Sequence, residues 1–247
     1  MKHEIRLFAL AIGYFTRIPL PALLDFQEAE LQRAVKYLPG VGILVGFVAA
    51  CSYWFAAEVF PSDIALILSM LSSIFLTGCL HEDGLADSID GLGGGWNQEQ
   101  ILTIMQDSRL GSYGASALIL VLLTKFLALN HLAGHLLPWV FIAGHSLSRY
   151  AAVLVMMTQR YVRSQGKAKP LAQVLAKPDF ILASIFGISP LLFLPLTIGW
   201  ALLLVTLCWL VFSYLLKKRL QGYTGDTLGA MQQLTEVVFY LGLLVGR

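Results

Sequence analysis

The feature that most restricts this chain is a series of unbroken apolar stretches, each close to the ~20 residues a helix needs to cross a bilayer. Residues 38–60 run through LVGFVAACSYWFAAEVF, and residues 64–80 read IALILSMLSSIFLTGCL. Residues 112–134 and 136–158 repeat the pattern, and 180–216 is long enough for two spans divided near Pro195 and Gly199. Within hydrocarbon, backbone N–H and C=O groups must be satisfied inside the segment itself, which favours helix. The expected fold class is all-α: a polytopic transmembrane helical bundle of about six to eight membrane segments arranged as hairpins. It is expected to form a single integral membrane domain over 1–247. Two shorter apolar segments, 7–24 and 234–245, set the spread in that number and are read as tilted, re-entrant or interfacial.

Composition supports lipid as the solvent. The chain is 57% hydrophobic and only 13% charged, with a mean hydropathy of +0.72, and a water-facing surface of that kind aggregates. The net charge of +2 comes without a long basic run or an RNA-binding motif, so no nucleic-acid partner is expected. Cys51, Cys79 and Cys208 are isolated in apolar runs and lack any CxxC spacing; they read as small buried hydrophobes. The start, MKHEIRLFALAIGYFTRIPLP, lacks a small-x-small cleavage site and is interrupted by Arg17, so it reads as a retained first segment.

Long polar connections at 25–37, 81–111, 159–179 and 217–233 alternate with short ones near 61–63, at 131–138 and near Pro195. Two spans separate each successive pair of long connections, so all four fall on one side. They carry Arg160, Arg163, Lys167, Lys169, Lys177, Lys217, Lys218 and Arg219, whereas the short ones carry no Lys or Arg. The positive-inside rule assigns the charged side to the cytoplasm.

The segment TGCLHEDGLADSIDGLGGGW, residues 77–96, concentrates Glu82, Asp83, Asp87 and Asp90 directly after an apolar span. On a helix Asp83, Asp87 and Asp90 stand at i, i+4 and i+7 and share one face, with Glu82 to one side. Neighbouring carboxylates repel, and a divalent cation supplies the missing counter-charge. All-oxygen ligands suit Mg²⁺, Mn²⁺ or Ca²⁺, although the EF-hand spacing is missing. Glycines at Gly84, Gly91 and Gly94 would let a phosphate or a neighbouring backbone approach. The Asp87-x-x-Asp90-Gly91 spacing resembles the start of the CDP-alcohol phosphotransferase signature, but Leu92-Gly93 stands where that signature has Ala-Arg.

A phosphate site also needs cations and orienting groups. Arg109, in DSRLGSYG at the entrance to a span, has the fork geometry for a phosphate; a membrane-interface arginine is the plain alternative. Lys125, His145 and Arg149 lie inside apolar spans, where ionisable groups face the protein interior. His145 and Arg149, four apart, share a face. Asp226, in GYTGDTLGA, is read either as completing a metal shell or as an aspartate N-cap of the last helix. The basic residues Lys167 and Lys169, beside Pro170, would attract anionic substrate or anionic lipid.

Together these pieces resemble cobalamin synthase, the adenosylcobinamide-GDP ribazoletransferase family. The matching segments are FTRIPLP at 15–21, LPGVGILVG at 38–46, GCLHEDGLADSIDGLGGG at 78–95, DSRLGSYG at 107–114, SLSRY at 146–150 and GYTGDTLGA at 222–230. Cys79 departs from the glycine that family members often carry. The resemblance implies a multi-pass enzyme of the cell (inner) membrane whose active site faces the cytoplasm. It would join adenosylcobinamide-GDP to α-ribazole or α-ribazole 5′-phosphate and release GMP, with Mg²⁺ as cofactor. Carried onto this chain, Glu82, Asp83, Asp87 and Asp90 would hold the metal. Glu82, Asp83, Arg109, Arg149 and Asp226 would serve catalysis, and Gly84, Gly91, Gly94 and Lys125 would face substrate phosphate. Membrane lipid is an expected partner; self-association, and association with other cobamide-assembly enzymes, are left open. Two other functions stand beside it on the residues alone: a CDP-alcohol-type membrane phosphotransferase, and a transporter using Lys125, His145 and Arg149.

Overall fold

A computed structural model describes residues 2–19, 28–132, 134–163, 174–195 and 198–245. Lys167, Lys169 and Pro170 lie outside the described residues. The helices are α1 (Lys2–Phe15), α2 (Glu28–Ala34), α3 (Leu38–Ala57), α4 (Ser62–Thr77), α5 (Leu80–Gly94), α6 (Gln98–Ile104), α7 (Ser112–Asn130), α8 (Leu137–Thr158), α9 (Lys177–Ile188), α10 (Gly199–Arg219) and α11 (Gly225–Gly242). Among the described residues the only β-type pairing is a single bridge between Tyr161 and Tyr223. The all-α membrane bundle is therefore what the chain forms.

Among the described residues, four stretches are by length and composition long and apolar enough to cross a bilayer: Ala29–Ala57, Ser112–Asn130, Gly134–Thr158 and Gly199–Arg219. The α4–α5 pair makes a fifth if it is taken as one broken span. This is fewer than the six to eight segments expected, for local reasons. The 180–216 stretch does divide near Gly199, but α9 has only 12 residues, about 18 Å of helix. The 234–245 stretch, read as tilted, re-entrant or interfacial, is packed inside the bundle. It is the second half of α11, which is buried along most of its length among α5, α7, α8 and α10. Its centre carries Gln232, Gln233, Thr235 and Glu236, all buried. The outside of the bundle is apolar, with Phe47, Phe55, Ile119, Leu123, Leu207 and Val211 exposed.

Close helix contact in lipid relies on small residues. Gly42 and Gly46 form such a face on α3. A Cβ at Gly46 would lie 2.6 Å from the Phe141 carbonyl oxygen of α8, and one at Gly42 would strike the backbone at His145. Ser146 reinforces the seam by donating to the Pro39 carbonyl of α3 at 3.1 Å, and ties in α9 through the Phe186 carbonyl at 2.7 Å.

The turn from α4 to α5 places the acidic segment. Gly78 (φ 65) and Cys79 (φ 59) are both left-handed, and the two helices meet at 85°. The Cys79 N–H closes α4 on the Ile74 carbonyl at 3.0 Å. Arg17 braces the corner: its N–H donates to the Leu76 carbonyl at 2.7 Å, and its side chain lies where a Cβ on Gly78 would be.

At one end of the bundle the long polar connections meet. Arg219 donates to the Gly95 carbonyl at 2.6 Å, Gln98 to the Leu220 carbonyl at 2.8 Å, and the Tyr223 N–H to the Arg160 carbonyl at 2.9 Å. Nearby, Lys36 is buried between Glu4 at 2.8 Å and Asp179 at 2.9 Å, tying α1 and α9 to the start of α3.

Candidate active site

The end where these connections meet contains a cavity of about 520 Å³. Its polar wall comes from α5 and α11, with His81, Asp83, Asp87, Asp226 and Gln232, and is completed by Arg149 of α8 and by Arg163. Phe15, Leu38, Ala152 and Met156 supply apolar lining from α1, α3 and α8. The helix pair carrying the polar wall is drawn together by two glycines. A Cβ at Gly84 would lie 2.7 Å from the Asp226 carbonyl oxygen, and one at Gly229 3.2 Å from His81. Alanine at either position would force apart the segments that bear Asp83 and Asp226.

Asp226 is free to face the cavity because another residue caps α11. Thr224 is the N-cap, accepting from the Thr227 N–H while the Thr227 hydroxyl accepts from the Thr224 N–H at 2.9 Å. The aspartate-cap alternative is thereby replaced. Asp226 instead pairs with Arg163, Nη2 to Oδ2 2.7 Å.

The four acidic residues of α5 divide three ways. Asp83 and Asp87 line the cavity. Asp90 turns to the start of α7, where its two oxygens accept from the Gly111 N–H at 2.8 Å and the Gly114 N–H at 2.9 Å. A carboxylate so placed satisfies orphan donors and the positive end of the helix dipole. A Cβ on Gly111 or Gly114 would run into that carboxylate, which explains the glycines of DSRLGSYG. Glu82 points into the protein interior, where Oε1 accepts from Gln233 at 2.8 Å.

That interior holds a buried polar network, which reaches the cavity at Arg149 and Gln232. Glu236 is its hub: Lys125 lies at 3.0 Å and His145 at 3.2 Å, Gln232 donates to it at 2.5 Å and Tyr240 at 3.2 Å. Lys125 also donates to Gln233 at 2.9 Å. Arg149, 2% exposed, gives Nη1 to the His145 carbonyl at 2.9 Å, while its Nε is buried without an acceptor among the described residues. Lys125 and Arg149 are thus balanced by Glu236 and Glu82, as burial of charge requires.

Several expected site residues lie elsewhere. Lys125 does not line the cavity; it is held by Glu236. Gly91 and Gly94 pack against α6, where a Cβ would meet Met105 and Ile104 respectively, so with Gly84 they serve helix contact. Arg109 is exposed and bound to Asp107, Nη2 to Oδ2 2.5 Å, and these hydrogen bonds hold the Asp107 carboxyl down to about 2. Its surroundings are a shallow depression shared with Asp90, separate from the cavity. The sequence reading passed over His81, Arg163, Gln232, Gln233 and Glu236 as site residues. A signal existed for three of them: Gln232, Gln233 and Glu236 interrupt an apolar run, with 232 and 236 on one helix face.

Among the described residues no three His, Cys, Asp or Glu side chains close into a metal cage. The cavity does present three carboxylates, Asp83, Asp87 and Asp226, beside one imidazole, His81, and the thioethers of Met105 and Met156. Mg²⁺ keeps several waters and takes only one or two carboxylates beside substrate phosphates, so an open half-site of this kind fits it.

These features define a helical membrane protein with an acidic, arginine-lined cavity at one end. The cobalamin-5-phosphate synthase model matches residues 7–244, and the chain belongs to that family, a family of transferases in cobalamin biosynthesis. The adenosylcobinamide-GDP ribazoletransferase of Ralstonia pickettii is 45% identical over 241 residues, covering 95% of this chain and 93% of its own. That of Shewanella oneidensis is 44% identical over 248 residues, covering 98% and 95%, and that of Shewanella amazonensis 42% over 252, covering 99% and 96%. No solved structure matches the chain.

Proposed function

We propose that the chain joins adenosylcobinamide-GDP to α-ribazole, or to α-ribazole 5′-phosphate, and releases GMP at the cytoplasmic face of the inner membrane. The observation that carries this is the cavity itself: Asp83, Asp87 and Asp226 gathered in one cavity with Arg149 and Arg163. A pyrophosphate diester carries two negative charges, and this wall has room for both kinds of counter-charge, metal and guanidinium. Asp83, Asp87 and Asp226 would hold Mg²⁺, which when bound neutralises phosphoryl charge. Arg163 holds Asp226 in place and, with Arg149, supplies N–H donors to the phosphoryl oxygens. The ribose hydroxyl attacks the phosphorus attached to the cobinamide arm. Its oxygen forms the new P–O bond, the bond to the bridging oxygen breaks, and GMP departs with that oxygen. The hydroxyl proton passes to one of the cavity aspartates.

A cavity of about 520 Å³ is the size of a drug-like ligand site, so the corrin ring remains outside it, at the mouth. The clustering of Arg160, Arg163, Lys217, Lys218 and Arg219 at this end supports the cytoplasmic orientation.

The test is turnover in liposomes with adenosylcobinamide-GDP, α-ribazole and Mg²⁺, read as GMP and joined corrinoid. Excess chelator is expected to abolish turnover and added Mg²⁺ to restore it. Unimpaired turnover in chelator would overturn the metal assignment. A reporter fused into the connection at 97–111 is expected to read cytoplasmic; a periplasmic reading would reverse the orientation.

A further inference from the structure

A second, wider depression opens beside the acidic cavity and carries the opposite charge. It measures about 1020 Å³ and shares Met156, Tyr161 and Arg163 with the first. Arg160, Arg163 and Lys217 line it, and no carboxylate does among the described residues. A short backbone pairing builds it. The Tyr223 N–H donates to the Arg160 carbonyl at 2.9 Å and the Val162 N–H to the Tyr223 carbonyl at 3.0 Å, and a Cβ on Gly222 would strike the Arg160 carbonyl. Gln159 adds a tie to α10, donating to the Ser213 carbonyl at 3.0 Å. Lys217 stands one turn beyond Ser213 on the same helix face, between that tie and the backbone pairing. Arg160 is braced by neutral partners only, the carbonyl and side-chain oxygens of Gln221, both at 3.2 Å. These engage its Nε and one Nη and leave the rest of its five N–H groups to other acceptors. Arg6, Arg109 and Arg163 each sit against a carboxylate. Arg160 and Lys217, both exposed, have none within ion-pair reach among the described residues.

Two uncompensated cations on one depression suit an anion, and the reactants limit which anion that is. The two phosphoryl groups of the donor's pyrophosphate belong to the acidic wall, with its metal and Arg149. The anion left over is the 5′-phosphate of a phosphorylated acceptor, a monoester with a charge of about −1.5 to −2 near neutral pH. Asp83, Asp87 and Asp226 would repel it. It therefore needs a place free of carboxylates, yet within a sugar's width of the attacking hydroxyl. The second depression meets the first condition by its lining and the second by sharing Arg163, Tyr161 and Met156 with the cavity. Resting on the function proposed above, we infer that this depression is the 5′-phosphate subsite of the accepting nucleoside, where Arg160 and Lys217 supply the counter-charge and set the choice between α-ribazole 5′-phosphate and α-ribazole. Arg163, already paired with Asp226, marks the border between the two charge regions. A phospholipid headgroup has similar phosphate chemistry, but binding it requires no opening toward the acidic cavity.

The experiment uses the full-length protein in phosphatidylcholine liposomes with adenosylcobinamide-GDP and Mg²⁺, and measures kcat/KM for α-ribazole 5′-phosphate and for α-ribazole. Wild type is expected to favour the phosphorylated acceptor by about tenfold or more, the scale of one charge-assisted hydrogen bond. Arg160→Gln and Lys217→Gln should each move that ratio toward one, through the KM of the phosphorylated acceptor and not through kcat, and Arg160→Lys should keep part of the preference. No preference in wild type, or a ratio unchanged in both glutamine variants, overturns the subsite. A rise in the KM for adenosylcobinamide-GDP in place of the acceptor would assign the depression to the donor and overturn it as well. A parallel set in liposomes containing phosphatidylglycerol separates substrate from lipid. A loss in the variants that appears only there, and equally for both acceptors, would mean that headgroups occupy the depression instead. If thermal melting shows that Arg160→Gln is unfolded, Lys217→Gln, at an exposed side chain, reads the same ratio. Complete lack of joined product from wild type with either acceptor would bring down the parent function and this proposal with it, whereas product from both acceptors at equal efficiency removes the subsite alone.

Discussion

Two polar regions lie back to back across α5, and they are built on opposite principles. In the cavity, Asp83, Asp87 and Asp226 crowd one wall, Arg163 makes the one ion pair to them among the described residues, and Asp83 is exposed. In the interior, Lys125, His145, Gln232, Gln233 and Tyr240 converge on Glu236 and Glu82, with few polar atoms left unpaired. The first region has surplus negative charge that calls for an external cation. The second supplies most of its own partners and meets the cavity only through Arg149 and Gln232. Two adjacent residues, Glu82 and Asp83, belong to different regions because successive residues on a helix point about 100° apart. Charge density in the sequence therefore does not reveal which acid is reactive. What separates them is whether the protein itself supplies the partner.

Five substitutions break or sharpen this contrast. The largest expected effect is on stability in the interior. Glu236→Leu leaves Lys125 buried without its counter-charge and should cost about 3–5 kcal/mol, seen as a large fall in detergent melting temperature. A melting temperature near wild type would mean that the network is not closed. Next come the cavity acids. Asp83→Asn and Asp87→Asn should each lower kcat by roughly 10²–10³-fold while melting close to wild type, and wild-type rates in both would move the chemistry elsewhere. Asp90 stands between the two regions. Asp90→Ala is expected to cost about 1–2 kcal/mol, the scale of a lost helix cap, and to keep most of its activity once folded. A kinetic loss as deep as that of Asp87→Asn would return Asp90 to the cavity. The smallest effect is a gain. Cys79→Gly relieves a non-glycine left-handed residue and should stabilise by about 1 kcal/mol with unchanged kcat; destabilisation would show that the corner depends on the Cys79 side chain.

Much of the fold was legible because lipid imposes a simple rule, and runs such as 38–60 and 136–158 obey it without interruption. α11 was harder to read. Its second half, EVVFYLGLLV, looks like a short edge segment, yet Gln232, Gln233 and Glu236 make it the centre of the bundle, where polar side chains find partners that hydropathy cannot see. The site was legible as a cluster but not as a division of labour. Asp83, Asp87 and Asp90 do share a face, as the i, i+4, i+7 spacing implies. The third is claimed by α7, whose N-terminus is 21 residues away in sequence. Gly84, Gly91 and Gly94 suggested room for phosphate, whereas the small side chain is used for helix contact. Arg163 lies in a connection whose basic residues read as a topological signal and, at Lys167 and Lys169, as a pull on anionic substrate or lipid, and nothing local marks it as a partner of Asp226.

The three-way division of α5 has a consequence for how this segment can vary. Its acidic residues serve three clients: the cavity, the interior network and the start of α7. One residue inserted after Asp83 would rotate everything downstream by about 100°, carrying Asp87 off the cavity wall and Asp90 off the α7 backbone in a single event. A point change disturbs one client, whereas a shift of phase dismisses two at once. The stretch from Glu82 to Asp90 should therefore tolerate altered letters far better than altered length.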